Sequence, residues 1–247
     1  MKANFFLGIL ICLSGIFQTV YSQSFSNINA QFPRFYFNGN TAWGDYDNDG
    51  DLDVIMCGDT TRWSPNIYIT RLFQNLGNNQ FSPVTSSINI NSTGDFEWGD
   101  YDNDGDLDLL YSVVAGGDLV NSLVVFRNDG AGDFTPLTVA SFENFWELGA
   151  SAWMDWDNDG DKDIINFPRG YIPYTDEEPG TYPEKGKIEP SDAASAVNVP
   201  PMFYRNVGNN TFELAEITLP PILYAVIEAG DLNNDGWTDI IDRKSVV

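Results

Sequence analysis

Residues 45–53 read Asp-Tyr-Asp-Asn-Asp-Gly-Asp-Leu-Asp, and this nine-residue pattern organises the rest of the chain. It returns at 100–108 and 155–163, and in a more divergent form at 231–239. Each copy places oxygen-bearing side chains at loop positions 1, 3, 5 and 9 around a glycine at position 6. Ca²⁺ takes about six to eight oxygen ligands, and the glycine permits the sharp turn that lets them converge. The pattern therefore predicts four calcium-binding loops.

The alternative interpretation is an acidic turn that binds no ion. Five carboxylates within residues 45–53 would repel one another by roughly 3 kcal/mol per pair at a separation of about 5 Å and an effective dielectric near 20. A chain that concentrates this charge repeatedly favours bound cations. Position 7 offers a calcium ion only its main-chain carbonyl, so its side chain is predicted to vary freely. The residues there are Asp51, Asp106, Asp161 and Trp237.

An EF-hand is the first competing interpretation. Its loop requires a bidentate Glu at position 12 and helices on both sides. Position 12 is instead Met56, Tyr111, Asn166 and Asp242 in the four copies. Short β-prone runs such as Val54-Ile55-Met56-Cys57 follow each loop. The loops are therefore predicted to join strands.

A second motif follows the first three loops. It is Asn75-Leu76-Gly77 in the first copy, Asn128-Asp129-Gly130 in the second and Asn206-Val207-Gly208 in the third. Each copy stands after an apolar strand end and before a phenylalanine that opens a new run, as in a turn with positive φ angles. The unit is therefore strand, calcium loop, strand, longer loop, strand, turn, strand. This order predicts a four-stranded antiparallel meander.

The units recur at the spacing of propeller blades. The first three loops begin at Asp45, Asp100 and Asp155, at intervals of 55 residues. Repeated four-stranded units of this length predict an all-β chain, a β-propeller with calcium-binding loops. We expect blades near 34–86, 87–139 and 140–217, a partial blade at 218–247, and an inserted surface loop at 168–200, which is rich in Pro, Glu, Gly and Ser.

The arithmetic of strands predicts an incomplete propeller of about three full blades plus partial ones. Phe25 to Phe32 is predicted to be an outermost strand that belongs to a preceding blade. One short strand is expected after the fourth loop. We therefore expect an N-terminal fragment of a longer secreted protein, whose partners are the missing blades or further copies of itself.

Composition bounds the function. The formal net charge is −24, and eighteen of the thirty-six acidic residues lie in the four loops, so the acidity mostly indicates metal sites and argues against nucleic acid. The chain has no histidine, which removes the commonest general base and zinc ligand.

Residues 1–22 are predicted to be a signal peptide, and no other stretch is apolar enough to span a membrane. Residues 23–247 are therefore expected to be secreted, extracellular or at the cell surface, with Cys57 as a buried thiol.

Aromatic residues flank and enter the loops. Trp43, Trp98 and Trp153 stand two residues before the first three loops and are predicted to pack between neighbouring blades. Position 2 holds an aromatic residue in the same three loops. Packing between blades is the favoured prediction for these side chains, and stacking on sugars is the alternative. They are Tyr46, Tyr101 and Trp156.

The loops and turns together resemble the FG-GAP/VCBS repeat family, the calcium-loop blades of integrin α-subunit propellers and of many secreted bacterial proteins. The resemblance covers Phe25 to about Asp242. It implies that the Asp-rich loop joins the two innermost strands of a blade and that about four Ca²⁺ ions bind. The implied ligands are Asp45, Asp47, Asp49, Asp53, Asp100, Asp102, Asp104, Asp108, Asp155, Asp157, Asp159, Asp163, Asp231, Asn233, Asp235 and Asp239.

Two functions are weighed. The leading hypothesis is a non-enzymatic, calcium-binding module for extracellular binding or adhesion, with a protein or carbohydrate ligand. The loops between second and third strands differ among blades, as binding loops do, and supply the candidate anchors Arg62, Trp63, Arg169, Tyr171 and Tyr174. The alternative is a propeller-type polysaccharide lyase or hydrolase, which needs two carboxylates free of metal.

Overall fold

A computed structural model describes residues 27–63, 65–115, 119, 121–142, 149–167, 200–217 and 227–242 of the chain. The described elements are fourteen β-strands. Three sheets have four antiparallel strands each, in the order in which the strands occur along the chain, and a further sheet has two. The predicted meander is confirmed. The predicted blade boundaries are finer than this sheet assignment and stay predictions.

The strands of the four sheets have the following bounds. Sheet 1 contains β1 (Phe37–Gly44), β2 (Asp53–Asp59), β3 (Tyr68–Asn75) and β4 (Phe81–Pro83). Sheet 2 contains β5 (Thr93–Gly99), β6 (Asp108–Ala115), β7 (Ser122–Asn128) and β8 (Phe134–Ser141). Sheet 3 contains β9 (Ser151–Met154), β10 (Asp163–Asn166), β11 (Met202–Asn206) and β12 (Phe212–Ala215). Sheet 4 contains β13 (Ile227–Gly230) and β14 (Asp239–Asp242).

The second strand of each four-stranded sheet is buried on both faces. In β2, Ile55 and Cys57 pack in a core shared with sheet 2, whereas Val54 and Met56 pack with Phe73 on the opposite face. Period-two alternation places successive side chains on opposite faces, so a strand covered on both sides reads as a continuous apolar run. Burial also raises the pKa of the Cys57 thiol, which confirms the predicted buried cysteine.

The segment before β1 differs from its prediction. The described part of the predicted Phe25 to Phe32 strand, residues 27–32, contains no strand. Phe32 instead lies edge-on to Phe73, with ring centroids 5.2 Å apart, and at 5.0 Å from Phe81. The prediction was wrong because the aromatic side chain covers the outer face of sheet 1, which favours packing over pairing at a sheet edge.

At the first two sheet junctions, a tryptophan of the later sheet packs against a glycine of the sheet before it. A Cβ added to Gly44 would lie 2.7 Å from the Trp98 ring, and one added to Gly99 would lie 2.6 Å from the Trp153 ring. The indole N–H of Trp153 also donates to the Glu97 carbonyl of sheet 2 at 3.3 Å. The predicted packing of tryptophans between blades is therefore confirmed for Trp98 and Trp153.

At the junction of sheets 3 and 4, the earlier sheet supplies the large residue and the later sheet the small one, the reverse of the first two junctions. Sheet 3 ends its first strand with Met154 where sheets 1 and 2 have glycine, and sheet 4 presents Ala229 where the others present tryptophan. Met154 is buried and packs with Ala229 in the third core. A large residue against a small one fills each junction, as close-packed interiors require.

We expect Gly99→Ala to lower the free energy of unfolding by about 1–3 kcal/mol, because the new methyl group must displace the Trp153 ring. Gly230→Ala is the matched control, since a Cβ at Gly230 meets no atom of the described residues within 4 Å. Chemical denaturation of both variants checks this. Equal stabilities for the two variants would show that the Trp153 ring does not require a glycine beneath it.

Candidate metal centres

Each acidic loop connects the first and second strands of its sheet in one register. The closing pairs are Gly44 with Asp53, Gly99 with Asp108, Met154 with Asp163 and Gly230 with Asp239. In the first loop, Asn48 has a φ of 58° and Gly50 a φ of 93°. A left-handed backbone at position 6 strains any residue with a Cβ, which explains the glycine there. The same pair of left-handed residues recurs in all four loops.

The position 1 carboxylate organises the loop backbone. Asp45 accepts hydrogen bonds from the backbone N–H of Asp49 and of Gly50, both at 3.0 Å. The Asp49 carboxylate accepts the N–H of Asp51 at 2.9 Å. Equivalent bonds recur in each of the other loops, including the divergent fourth. The four loops therefore share one backbone conformation.

The position 9 carboxylate is buried and connects the loop to the third strand. Asp108 is fully buried. Its Oδ2 accepts the N–H of Tyr101 at 3.0 Å, and its Oδ1 accepts the N–H of Asn128 at 2.8 Å. Asp53 and Asp163 make the equivalent pairs of bonds. Position 9 therefore has a structural role in addition to any bond it makes to an ion.

Burial makes ionisation of these carboxylates costly. Desolvation raises the pKa of Asp108 to about 7, against the opposing effect of its two backbone hydrogen bonds. Desolvation likewise raises the pKa of Asp53 and of Asp163 to about 6 each. A neighbouring divalent cation favours the charged form of a carboxylate. A cation bound at these sites would offset the cost of ionising the buried carboxylates.

Carboxylates at positions 1, 3 and 9 converge in the first three loops. In each loop, one oxygen from each of the three residues lies within 4.8 Å of the others. The triads are Asp45, Asp47 and Asp53; Asp100, Asp102 and Asp108; and Asp155, Asp157 and Asp163. Within the described part of the chain, the buried Oδ1 atoms of Asp47 and Asp157 have no hydrogen-bond partner. Buried polar atoms are rarely left unpaired, and a hard cation such as Ca²⁺ suits an all-oxygen set. The donor sets therefore fit the predicted ion.

The remaining predicted ligands are placed differently. The position 5 residues Asp49, Asp104 and Asp159 do not belong to the triads of the described residues. In the fourth loop, Asn233 donates from Nδ2 to Asp235 at 2.9 Å and accepts the Asp235 N–H at 2.8 Å. The loop thus has carboxylates only at positions 1, 5 and 9. Metal binding by position 5 and by the fourth loop stays a prediction.

The position 7 side chains of the second and third loops contact the preceding loop, which the prediction of a freely varying residue did not include. Asn48 Nδ2 of the first loop donates to Asp106 Oδ1 of the second at 2.7 Å. Asn103 Nδ2 donates to Asp161 Oδ1 of the third loop at 2.9 Å. The residues at position 4 and position 7 therefore connect neighbouring loops through their side chains.

Sequence reasoning also missed the asparagine of the turn motif as a contact between sheets. Asn128 Nδ2 donates to the Tyr46 carbonyl of the preceding loop, and Asn206 Nδ2 donates to the Tyr101 carbonyl, each at 2.8 Å. Both asparagines are nearly fully buried. The signal was the asparagine repeated in every turn, which was interpreted as turn chemistry alone.

The aromatic residues at position 2 pack between sheets. Tyr101 stacks on Trp153 of the next sheet with ring centroids 6.0 Å apart, and Tyr46 lies 6.2 Å from Phe134. Both tyrosines are buried, so the favoured prediction is confirmed and sugar stacking is wrong for them. Trp156 is half-buried against the third core.

Two of the five candidate ligand-face residues are described. Trp63 is 79% exposed, and the Arg62 guanidinium lies 5.7 Å from its ring centroid. The loop is ordered by Asp59, whose Oδ1 accepts the N–H of Thr61 at 2.8 Å and that of Ile67 at 3.2 Å. The other predicted residues lie outside the described part of the chain. They are Arg169, Tyr171 and Tyr174.

Comparison with known proteins agrees with this architecture. A family model described as FG-GAP-like repeat matches residues 45–111 and again residues 112–165. No curated protein matches the chain. Among the described residues, no helix is both long and apolar enough to span a membrane.

A solved structure is similar in fold. It is a lectin from Agrocybe aegerita, described as recognising non-reducing terminal N-acetylglucosamine, with a TM-score of 0.50 and 16% sequence identity. The similarity covers 83% of this chain and 46% of the lectin chain. The chain thus spans less than half the length of that structure, and at this identity the likeness shows the fold alone.

Proposed function

Residues 45–165 are FG-GAP-like repeats, and from this premise we propose that the chain is a secreted, calcium-stabilised binding module whose ligand is a carbohydrate. The observation that carries the calcium proposal is the acid triad repeated in three loops. Three carboxylates brought within 4.8 Å repel one another unless a cation lies among them. The residues that would hold it are those at positions 1, 3 and 9, with positions 5 and 7 as further oxygen donors.

Carbohydrate is favoured over protein as the ligand class by two observations. The similar solved structure is a lectin. The β2–β3 loop presents an indole that is largely exposed, beside an arginine. An apolar ring face with polar groups nearby suits a sugar, which has both C–H faces and hydroxyl groups.

We expect Trp63→Ala to weaken glycan binding at least tenfold, in line with the loss of about 2 kcal/mol on truncating a residue that dominates binding. A glycan array with the wild-type chain identifies the ligand, and calorimetry measures the affinities. Trp43→Ala is the matched control, because Trp43 is also largely exposed but lies in β1, outside the β2–β3 loop. Equal binding by wild type and Trp63→Ala would remove the β2–β3 loop from the proposed site.

We further propose that the chain has no catalytic activity. A lyase or hydrolase of the alternative kind needs a pair of carboxylates free of metal, one with a raised pKa. Asp53, Asp108 and Asp163 have the raised pKa values of about 6 to 7 among the described carboxylates, and all three belong to acid triads. Product release from acidic polysaccharides, measured with and without Ca²⁺, would support the enzyme instead.

The proposed partners include further sheets of the same kind, in a longer protein or in a second copy. Trp43 is 53% exposed where its equivalent Trp153 is 5% exposed between sheets. Among the described residues, a Cβ at Gly230 meets no atom within 4 Å, whereas Gly44 and Gly99 each lie against a tryptophan. One flank thus presents the tryptophan of a sheet junction and the other presents the glycine. Sedimentation velocity of residues 23–247 over a range of concentrations tests self-association.

A further inference from the structure

The residue before the turn asparagine lies over the acidic loop of its own sheet. In sheet 1 this residue is Gln74, whose Nε2 donates to Asp47 Oδ2 at 2.6 Å. Asp47 belongs to the first acid triad. The equivalent residues are Arg127 in sheet 2 and Arg205 in sheet 3. The three loops have nearly identical sequences, but this neighbouring residue is neutral in sheet 1 and cationic in sheets 2 and 3.

In sheet 3 the cationic neighbour contacts the loop acids directly. Arg205 Nε lies 2.8 Å from Asp157 Oδ2, and its Nη2 lies 3.3 Å from Asp159 Oδ2. Asp157 is the position 3 member of the third triad. The guanidinium thus pairs with one oxygen of a triad carboxylate and places a positive charge beside the third loop.

In sheet 2 the equivalent arginine pairs with a second acid, Asp129, although its charge still acts, against the larger effect of desolvation, to lower the pKa of Asp102. Asp129 Oδ1 accepts bonds from Arg127 Nε at 2.9 Å and from Arg127 Nη2 at 2.6 Å. The Thr135 hydroxyl donates to Asp129 Oδ2 and orients this acid. Sheet 3 has Val207 at the position of Asp129 and Glu213 at that of Thr135. The third arginine therefore lacks the carboxylate two residues on that binds the second.

We infer that Arg205 is a built-in competitor for the cation of the third loop, so that the third loop binds calcium more weakly than the second. The inference rests on the proposed calcium function. Asp129 is the positioning residue that keeps Arg127 from weakening the second loop in the same way. The third loop then needs a higher calcium concentration than the second loop to reach the same occupancy, although the loop sequences are nearly identical.

Electrostatic repulsion explains why Arg205 is expected to lower the calcium affinity of the third loop. A guanidinium within hydrogen-bond distance of two loop carboxylates repels Ca²⁺ and offsets part of their negative charge, even though Asp157 Oδ1 has no partner among the described residues. The Arg205 side chain is 47% exposed, so water screens the repulsion, and exposed ion pairs contribute little energy. The expected difference in affinity is therefore about twofold to fivefold.

Calcium titration by calorimetry on residues 23–247 tests the inference with an exchange between two turns. Arg205→Gln copies the sheet 1 neighbour and is expected to tighten one measured site, that of the third loop, by about twofold to fivefold. Val207→Asp is expected to do the same by drawing Arg205 away. The two turns share their hydrogen bonds, with Asp129 N–H donating to the Asp133 carbonyl and Val207 N–H donating to the Thr211 carbonyl. Val207 is 39% exposed, so the aspartate is accommodated.

Two further variants test the reverse exchange in sheet 2 and the effect of net charge on calcium affinity. Asp129→Val is expected to release Arg127 and weaken a second site by a similar factor. Arg34→Gln removes one positive charge before sheet 1, where the guanidinium lies 5.8 Å from the Tyr36 ring centroid, and is expected to leave every affinity within about twofold.

The outcomes separate this inference from the function on which it rests. Calcium binding by the wild type, with affinities that Arg205→Gln and Val207→Asp leave unchanged, overturns the inference and leaves the proposed function standing. A wild-type chain that binds no calcium overturns both. Equal tightening by Arg205→Gln and Arg34→Gln also overturns the inference, because it would assign the effect to net charge alone.

Discussion

Excess chelator is expected to lower the melting temperature of residues 23–247 by roughly 5 to 20 °C relative to the protein in about 2 mM Ca²⁺. Extracellular calcium sites commonly have dissociation constants of about 10⁻⁴ to 10⁻³ M. Each occupied site then adds about 0.6 to 1.8 kcal/mol to the free energy of unfolding. The three acid triads together contribute a substantial part of the typical stability of about 5–15 kcal/mol.

Scanning calorimetry with and without chelator measures this shift, and Mg²⁺ in place of Ca²⁺ provides the control. Mg²⁺ demands near-ideal octahedral geometry and loses its water reluctantly, so it is expected to restore little of the stability. A melting temperature unchanged by chelator would contradict the assignment of the loops as calcium sites.

Asp108→Asn is expected to lower the free energy of unfolding by about 2–4 kcal/mol, the largest effect of a single substitution considered for this chain. Asp108 is fully buried and accepts one backbone N–H on each carboxylate oxygen. An asparagine amide keeps one acceptor and turns an NH₂ group toward the other N–H donor. The substitution also removes a charged member of the second triad.

Denaturation in calcium and in chelator separates these two causes. Part of the loss should persist in chelator, because the bonds from Tyr101 and Asn128 do not involve an ion. Asp133→Asn makes the same change of charge at an exposed acid in the β7–β8 turn and is expected to alter stability by less than about 0.5 kcal/mol. If Asp108→Asn were as stable as Asp133→Asn, position 9 would have no structural role.

The sequence by itself determined the repeat, the loop conformation and the meander. These features depend on residues close in the chain: a glycine where φ is positive, acids at alternate loop positions, and turn residues at fixed distances from apolar runs. Gly50 and its equivalents are left-handed as this chemistry requires. The convergence of Asp45, Asp47 and Asp53 was predictable for the same reason, since nine residues around one turn have little freedom.

Only the tertiary structure decided how neighbouring units contact one another. The bond from Asn48 to Asp106 joins residues 58 positions apart, and no local pattern indicates it. Met154 against Ala229, where other junctions place glycine against tryptophan, is likewise a choice made by two sheets together. Arg205 pairs with acids of its own loop whereas Arg127 pairs with Asp129, because the residue two positions on is valine in the first case and aspartate in the second. Contacts of this kind follow from which surfaces the packed sheets bring together, whereas a repeat in the sequence specifies only the surface of one unit.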